Sequence, residues 1–229
     1  MANKEKIIIT GSKGNIGQIL QEGLEEYQIT GLDLPEGDVR RYETLANVVD
    51  GHFAIIHLAW DTKVDNYLSE KINPENSRMF FNVYKAALEQ KVQRVVVASS
   101  VHADKFYEWK GHGYMSTSQL PDPDSPYGAH KVFMEAMGKY FASRGLEVVC
   151  VRFGGISSLD SANRDNLPER AVFLSNQDGV SLVRSILKAE RVPNNFAMVY
   201  GVSSNANRIH DISNPFGWVP QDNAENFLK

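Results

Sequence analysis

The feature that most constrains this chain is a glycine-rich turn between a β-branched run and a helical pattern near its start. Lys6-Ile7-Ile8-Ile9-Thr10 is followed by Gly11, Gly14 and Gly17 at intervals of three, and then by Gln18-Ile19-Leu20. This order predicts a strand, a tight turn and a helix. Gly11 permits a backbone conformation that side chains resist, Gly14 leaves room for a pyrophosphate, and Gly17 lets the helix pack closely on the sheet. Because the first N–H groups of a helix lack intrahelical partners, we expect a dinucleotide to bind here.

An acidic residue follows about twenty residues later, at the end of a second predicted strand, Gln28–Leu34. Asp33 is placed to accept hydrogen bonds from the adenosine ribose, which favours NAD. A 2′-phosphate would be repelled there, although Arg40 and Arg41 leave NADP open. The alternative is a solvated turn aspartate.

Composition narrows the class of protein. The chain has 229 residues and a net charge of −4, with no run of lysine or arginine, which argues against nucleic acid or an anionic membrane as partner. The single cysteine, Cys150, cannot form an internal disulfide, and no apolar run approaches membrane-spanning length. We therefore predict one cytoplasmic domain over residues 1–229. No group of residues has the spacing of a metal site.

Apolar runs and helical patterns alternate along the rest of the chain. We predict strands at 53–59, 94–100, 147–153, 197–200 and 208–211, and helices to about Tyr27, at 42–50, 75–90, from Ser125 and at 176–188. Short connections between such elements imply right-handed βαβ units, and hence a Rossmann-type, doubly wound parallel α/β sheet with helices on both faces. Ligands of such sheets bind beyond the carboxyl ends of the strands, so Ser99 and Ser100 should face the cofactor.

A tyrosine and a lysine share one face at the start of the helix after Ser125. Tyr127 and Lys131 are one turn apart. The ordinary pKa of tyrosine is about 10, and a nearby ammonium favours the phenolate, so Tyr127 could accept a proton from an alcohol whose oxygen Ser100 holds. The spacing alone is weak evidence, because Tyr67 and Lys71 repeat it in a connection.

Taken together, these motifs resemble the extended short-chain dehydrogenase/reductases, the NAD-dependent epimerase/dehydratases, and most closely the uronate dehydrogenases and related NAD-dependent sugar dehydrogenases. The resemblance implies oxidation of an anomeric hydroxyl to a lactone, with Ser100, Tyr127 and Lys131 as catalytic residues. It implies a cofactor site formed by Gly11, Lys13, Gly14, Asn15, Ile16, Gly17, Asp33, Asp38, Val39, Leu58, Ala59, Asn76, Tyr127, Lys131 and Phe153.

Substrate contacts are implied by the same resemblance. They fall on Thr62, Ser100, Val101, His102 and Gly155, and on either Arg164 or Arg170. Apart from Thr62 and Ser100, these residues belong to the irregular stretches 101–125 and 154–176, which with the C-terminal segment are expected to form a small substrate-binding part. Val101 and Gly155 stand where uronate dehydrogenases have asparagine and serine, and each change deletes a polar contact that a hydroxylated sugar would use.

Three functions are compatible with these residues. The leading one is an NAD-dependent dehydrogenase of a small sugar or sugar derivative, either uronate-like or a hexose phosphate. The alternative is a nucleotide-sugar epimerase, reductase or dehydratase of the same family, and the third is a noncatalytic protein that senses NAD(P). The two helices after Pro74 and Pro126 carry more apolar surface than one sheet-facing stripe requires, and in the family they form a dimer interface; we expect a homodimer.

Overall fold

A six-stranded parallel sheet forms the centre of the molecule. The computed structural model describes residues 4–109, 113–157 and 167–227. The strands lie in the order β2-β1-β3-β4-β5-β8. Their bounds are Lys6–Thr10 for β1, Gln28–Leu32 for β2, Ala54–His57 for β3, Arg94–Ser100 for β4, Glu147–Phe153 for β5 and Phe196–Gly201 for β8. The order reverses between β1 and β3, so a crevice is expected beyond the carboxyl ends of these strands.

Six helices lie between the strands in the part of the chain that the structure describes. They are α1 Asn15–Gly23, α2 Tyr42–Ala46, α3 Pro74–Glu89, α4 Pro126–Ala142, α5 Leu167–Ala171 and α6 Asn176–Lys188. Local chemistry explains where α4 begins. The Ser125 hydroxyl accepts a hydrogen bond from the Gly128 N–H at 3.1 Å, and Pro126 occupies the first turn, where no N–H is needed.

The two faces of the sheet bury alternate residues of each strand. On β1, Ile8 packs against α2, α3 and α4, whereas Ile7 and Ile9 pack against α1 and α6. Successive side chains of a strand point to opposite faces, so an uninterrupted apolar run is buried on both sides. The helices on both faces thus confirm the predicted doubly wound architecture. No helix among the described residues is long and apolar enough to cross a membrane.

Several predicted boundaries are wrong. Helix α1 ends at Gly23 instead of near Tyr27, and α2 stops at Ala46 instead of Asp50. The predicted strand at 208–211 is not a strand, because His210 makes only an isolated bridge with Met115. A two-stranded parallel sheet was missed: β6, Gly155–Ser157, pairs with β7, Phe173–Ser175. These errors lie in short elements, where tertiary contacts decide the conformation.

Candidate active site

The glycine turn joins β1 to α1 with little space around its backbone. Gly11 has a φ of 70°, and a Cβ there would lie 2.7 Å from the Ala59 N atom. A Cβ on Gly17 would lie 2.5 Å from the Gly11 carbonyl oxygen. Gly14 is the N-cap of α1, so the first N–H groups of a nine-residue helix open beside a residue without a side chain. The turn therefore fits a pyrophosphate, which these N–H groups and the helix dipole would bind.

Asp33 lies directly after β2 and faces this turn. Its carboxylate accepts hydrogen bonds from the Lys13 N–H at 2.8 Å and from the Leu34 N–H at 2.8 Å. It lines a cavity of about 700 Å³ together with Lys13, Gly37 and Arg41. A carboxylate that is held by two backbone donors at the mouth of a cavity is suited to accept hydrogen bonds from a ribose.

The other predicted cofactor residues surround the same strand ends. Leu58 and Ala59 follow β3, and Ala59 packs on Gly11. Asn15 donates to the Ile156 carbonyl at 3.3 Å, and Ile16 packs against the core on the α1 face. Phe153 ends β5 opposite Ser100.

Three of the predicted cofactor residues are engaged by the protein itself. Asp38 forms a bidentate ion pair with Arg40, and the Arg40 hydrogen bonds lower the pKa of Asp38. The Val39 side chain is buried in the core. Asn76 is fully buried, with its amide bound to the Asp61 N–H and to the Asp65 carboxylate. Asn76 therefore holds the segment after β3, and its side chain is not available to a cofactor.

The structure brings Ser100, Tyr127 and Lys131 together at the carboxyl edge of the sheet. The Ser100 side chain acts on the Tyr127 phenol and favours its phenolate. The Lys131 Nζ lies 5.5 Å from the centroid of the Tyr127 ring and donates to the Ala98 carbonyl at 2.8 Å. Two hydroxyl groups and an ammonium thus converge from β4 and α4, as proton transfer to or from a hydroxylated substrate requires.

Burial shifts both titratable groups of this site. It raises the pKa of Tyr127 to about 12, and the opposing influence of the Ser100 side chain is smaller. It lowers the pKa of Lys131 to about 7, although Asp65 and Glu135 raise it. Tyr127 is accordingly a phenol in this structure, and a nearby positive charge is needed to make it a base near neutral pH.

Ser99 does not face the site, contrary to the prediction. Its hydroxyl donates to the Glu135 carboxylate at 2.6 Å on the α4 side of the sheet. Consecutive strand residues point to opposite faces, so only one serine of the pair can share the site with Tyr127. Ser100 is that residue.

His102, which the sequence predicts as a substrate residue, lies close to Tyr127. Its ring centroid is 6.0 Å from that of Tyr127, and its Nδ1 lies 2.7 Å from the Asp124 carboxylate. The Tyr67 ring stacks on His102 at 4.3 Å with an interplanar angle of 11°. The sequence did not predict this role for Tyr67. Its Tyr-x-x-x-Lys pattern was a coincidence, yet tertiary folding brings the ring to the site.

The remaining substrate candidates are distributed differently. Thr62 and Gly155 are exposed, whereas the Val101 side chain is buried against Phe106 and Tyr200. Arg170 is paired with Glu225 at 3.2 Å. Arg164 lies outside the described residues. The described part of the stretch 101–125 contains two short 3-10 turns, Val101–Ala103 and Phe106–Glu108, and the second packs on His102 through Phe106.

Sequence reasoning missed three residues beside Lys131. The Trp60 ring centroid lies 3.5 Å from the Lys131 Nζ, and the Trp60 N–H donates to the Asp65 carbonyl at 3.1 Å. The Asp65 carboxylate lies 2.6 Å from the Nδ1 of His130. No spacing rule links positions 60, 65 and 130, so no local signal could have found this group. The described residues contain no group of three or more His, Cys, Asp or Glu that could hold a metal.

Comparisons with known proteins agree with this geometry. The family model described as the NAD dependent epimerase/dehydratase family matches residues 7–174. The chain is 31% identical to L-arabinose 1-dehydrogenase (NAD(P)(+)) of Haloferax volcanii, over 96% of this chain and 97% of that protein. It is 29% identical to uronate dehydrogenase of Pseudomonas putida, over 97% and 86%. The crystal structure of uronate dehydrogenase from Agrobacterium tumefaciens superposes with a TM-score of 0.83 at 26% identity, over 98% of this chain and 87% of that chain.

Proposed function

This chain belongs to the NAD-dependent epimerase/dehydratase family, and we propose that it oxidises the anomeric hydroxyl of a small free sugar to a lactone. The observation that carries the proposal is the convergence of Ser100, Tyr127 and Lys131 at the carboxyl edge of the sheet, beside the glycine turn. The similar proteins named above are sugar dehydrogenases, which supports the same reaction class.

The residues present fit NAD. The open start of α1 after Gly14 suits the pyrophosphate, and Asp33 at its 700 Å³ cavity suits the ribose. Oxidised NAD, when bound, supplies a hydride acceptor and a positively charged ring. Lys131 would hold the nicotinamide ribose, with Leu58, Ala59 and Phe153 around the ring.

In the proposed mechanism, the Ser100 hydroxyl donates a hydrogen bond to the oxygen on C1 of the sugar, and the C1 hydroxyl donates to the Tyr127 side-chain oxygen. The Tyr127 phenolate accepts the proton of the C1 hydroxyl as the C1–H bond breaks and its electron pair leaves with the hydrogen. The C1–O bond becomes a carbonyl, so the products are a lactone, reduced cofactor and one proton. Burial raises the pKa of Tyr127. In the mechanism, the positive charge of Lys131 would favour the phenolate.

Among the described residues, the charges near the site are compatible with a neutral sugar. Arg170, the described candidate for binding a carboxylate or phosphate, has one terminal nitrogen paired with Glu225 at 3.2 Å. The His102, Tyr67 and Tyr127 rings offer aromatic faces to a small, hydroxylated ring. We therefore place neutral aldoses ahead of uronates and hexose phosphates as substrates.

The test incubates the protein with NAD and one candidate substrate at a time, and monitors the reduction of NAD by its absorbance. The candidates are neutral aldoses, uronic acids, hexose phosphates and nucleotide-sugars. We expect a signal from one small sugar and a loss of at least about 100-fold in kcat/KM for Tyr127→Phe. Tyr140→Phe is the matched control, because Tyr140 is an exposed tyrosine of the same helix. A signal that survives Tyr127→Phe would refute the mechanism.

The other two candidate functions give different results in this test. An epimerase regenerates its cofactor in place, so it would be purified with NAD bound and would show no net reduction. A sensor of NAD would bind the cofactor and remain silent with every sugar, with or without the Tyr127 hydroxyl. If the protein binds NAD but no candidate sugar reduces it, the dehydrogenase proposal is therefore overturned.

We further propose that the protein is a cytoplasmic homodimer with one NAD-binding domain. Phe81 on α3, and Phe133 and Tyr140 on α4, are large apolar side chains that remain between 43% and 48% exposed. Aromatic side chains exposed on adjacent helices are typical of an interface. A monomeric mass in light scattering at micromolar concentration would contradict the dimer.

A further inference from the structure

Lys131 is a buried cation whose direct contacts do not neutralise it. The residue is 4% exposed. Its Nζ donates to the Ala98 carbonyl and lies over the Trp60 ring at 3.5 Å. A carbonyl dipole and an aromatic face attract an ammonium but carry no net charge. Burying an ammonium is costly, so the charge of Lys131 depends on a carboxylate nearby.

Asp65 supplies a buried carboxylate whose donors are an imidazole, an amide and a backbone N–H. It is 0% exposed, in the segment between β3 and α3. Its Oδ2 lies within hydrogen-bond distance of His130 Nδ1 at 2.6 Å, Asn76 Nδ2 at 2.8 Å and Asn73 N at 3.2 Å. With a proton on Nδ1, His130 donates to Asp65, and its Nε2 accepts from the Ser77 hydroxyl at 2.7 Å. Among the described residues, Oδ1 has no hydrogen-bond partner.

Trp60 packs between the Asp65 backbone and the Lys131 ammonium. Its indole N–H donates to the Asp65 backbone carbonyl, and the face of the same ring covers the Lys131 Nζ. His130 precedes Lys131 on α4 and also packs on Trp60, with ring centroids 4.9 Å apart. Two partners of Asp65 are thus next to Lys131: Trp60 covers its Nζ, and His130 precedes it in the chain.

We propose that Asp65 and Trp60 are positioning residues that keep Lys131 in its ammonium form and so set the upper pH limit of the reaction. The role in the reaction rests on the proposed function, whereas the charge state of Lys131 can be measured without any substrate.

The other charged groups near Lys131 do not replace Asp65. Glu135, one turn further along α4, is held by both nitrogens of the Arg152 fork and by Ser99. His57 on β3 is buried and neutral, because burial, and then Lys131, lower its pKa to about 3. Tyr127 is a phenol in this structure. Asp65 is therefore the carboxylate whose charge is not already balanced by an arginine.

Burial lowers the pKa of Lys131 to about 7, and Asp65 is the larger of the two influences that raise it. Removing the charge of Asp65 should lower this pKa further. Loosened packing that admits water would act in the opposite direction, toward the ordinary value of 10.5. The sign of the shift therefore separates a counter-charge from a merely structural role.

The experiment is a pH titration of tryptophan fluorescence on the full chain, because Lys131 lies on the Trp60 ring. Wild type should show a transition near pH 7 that is absent in Lys131→Met and in Trp60→Phe. Asp65→Asn should move its midpoint down by at least about one pH unit, a tenfold loss of proton affinity. Asp61→Asn is the control, since Asp61 lies in the same segment and binds Asn73 rather than His130. An unchanged or higher midpoint in folded Asp65→Asn overturns the proposal.

A second variant tests the proposal independently, should Asp65→Asn fail to fold. Trp60→Leu removes the aromatic face but leaves the carboxylate. With an active sugar and saturating NAD, the decline of kcat/KM at high pH should move to lower pH in Trp60→Leu. An unmoved decline in folded Trp60→Leu counts against the proposal. If wild type oxidises no sugar, the proposed function fails, and the fluorescence midpoints still decide whether Asp65 holds Lys131 charged.

Discussion

Two buried cations lie on adjacent elements of this protein, and they are neutralised very differently. The Arg152 guanidinium is 0% exposed, binds both oxygens of Glu135 and contacts Asp104 at 2.6 Å. Tyr200 completes the cluster by donating to Asp104 at 2.6 Å. Lys131 has one carbonyl and one aromatic face instead.

The contrast appears in the pKa values. Burial lowers the pKa of Arg152, but its hydrogen bonds and ion pairs with Glu135 and Asp104 outweigh burial and raise it. For Lys131, burial dominates and the pKa falls to about 7. A cation bracketed by two carboxylates is permanently charged and serves the fold. The pKa of a buried cation that is incompletely compensated depends strongly on neighbouring charges, and such perturbed pKa values are typical of active sites.

The largest expected effect comes from removing the compensated cation. Arg152→Met leaves Glu135 and Asp104 buried without their partner, so we expect the free energy of unfolding to fall by about 3–5 kcal/mol. Urea denaturation at pH 7 measures this loss. Arg144→Met, at an exposed position after α4, should change stability by less than about 0.5 kcal/mol. A loss below about 1 kcal/mol for Arg152→Met would show that the cluster is not a structural centre.

Removing the uncompensated cation, Lys131, should affect activity more than stability. Lys131→Met replaces a buried ammonium that has no direct ion pair, so we expect unfolding free energy to fall by less than about 2 kcal/mol, which is less than for Arg152→Met. Activity should fall by at least about 100-fold in kcat/KM, because the Tyr127 phenolate loses its stabilising charge. Steady-state kinetics and urea denaturation on one preparation measure both. Lys139→Met on the same helix is the control. Equal kcat/KM in Lys131→Met and Lys139→Met would show that Lys131 does not serve the reaction, and so would contradict the contrast with Arg152.

A third effect concerns a histidine beside the Arg152 cluster. His210 is fully buried, 4.5 Å from the Tyr200 ring, and its ring nitrogens have no hydrogen-bond partner among the described residues. Burial, with Arg152 and Arg208, lowers its pKa to about 3. The unfolded chain therefore binds more protons between pH 6.5 and 3, and stability falls as the pH decreases through that range.

Replacing this histidine should make the protein less sensitive to acid. We expect His210→Phe to lose about 1–2 kcal/mol less unfolding free energy than wild type between pH 7 and pH 5. Urea denaturation at the two pH values measures the difference. Some sensitivity should remain, because the pKa of buried His57 is also lowered to about 3. Identical losses in wild type and variant would mean that His210 does not titrate as its burial implies.

The smallest effect should come from the second Tyr-x-x-x-Lys pair. Lys71 is exposed, so Lys71→Ala should change kcat/KM by less than about twofold and leave stability nearly unchanged. The same kinetic assay compares it directly with Lys131→Met. A tenfold loss would show that the segment 61–73 contributes more to the reaction than the Tyr67 ring alone.

Sequence patterns predicted much of the fold because they are local. The Gly11, Gly14 and Gly17 spacing, the Ser125-Pro126 start of α4 and the apolar strands each act within a few residues. Boundaries were less predictable where elements are short, as at α2 and β6. The strand predicted at 208–211 failed because its apolar residues pack in a loop instead of pairing along an edge.

Some features of the candidate site could likewise be predicted from the sequence, and others could not. Ser100, Tyr127 and Lys131 lie at the ends of elements that the sequence predicts, so their meeting follows from topology. The separation of Ser99 from Ser100 follows from strand geometry and was overlooked. The stacking of Tyr67 on His102 has no sequence signal, because the two residues are far apart in the chain.

By itself, the sequence determined the class of this protein: a parallel sheet with a glycine turn, an acidic residue after the second strand, and a serine, tyrosine and lysine at strand and helix ends. Only the tertiary structure decided the electrostatics of that site. It placed Trp60 and Asp65 beside Lys131, and Glu135 and Asp104 around Arg152. The physical reason is that local preferences specify elements, whereas the charge of a buried group depends on partners that packing brings from distant parts of the chain.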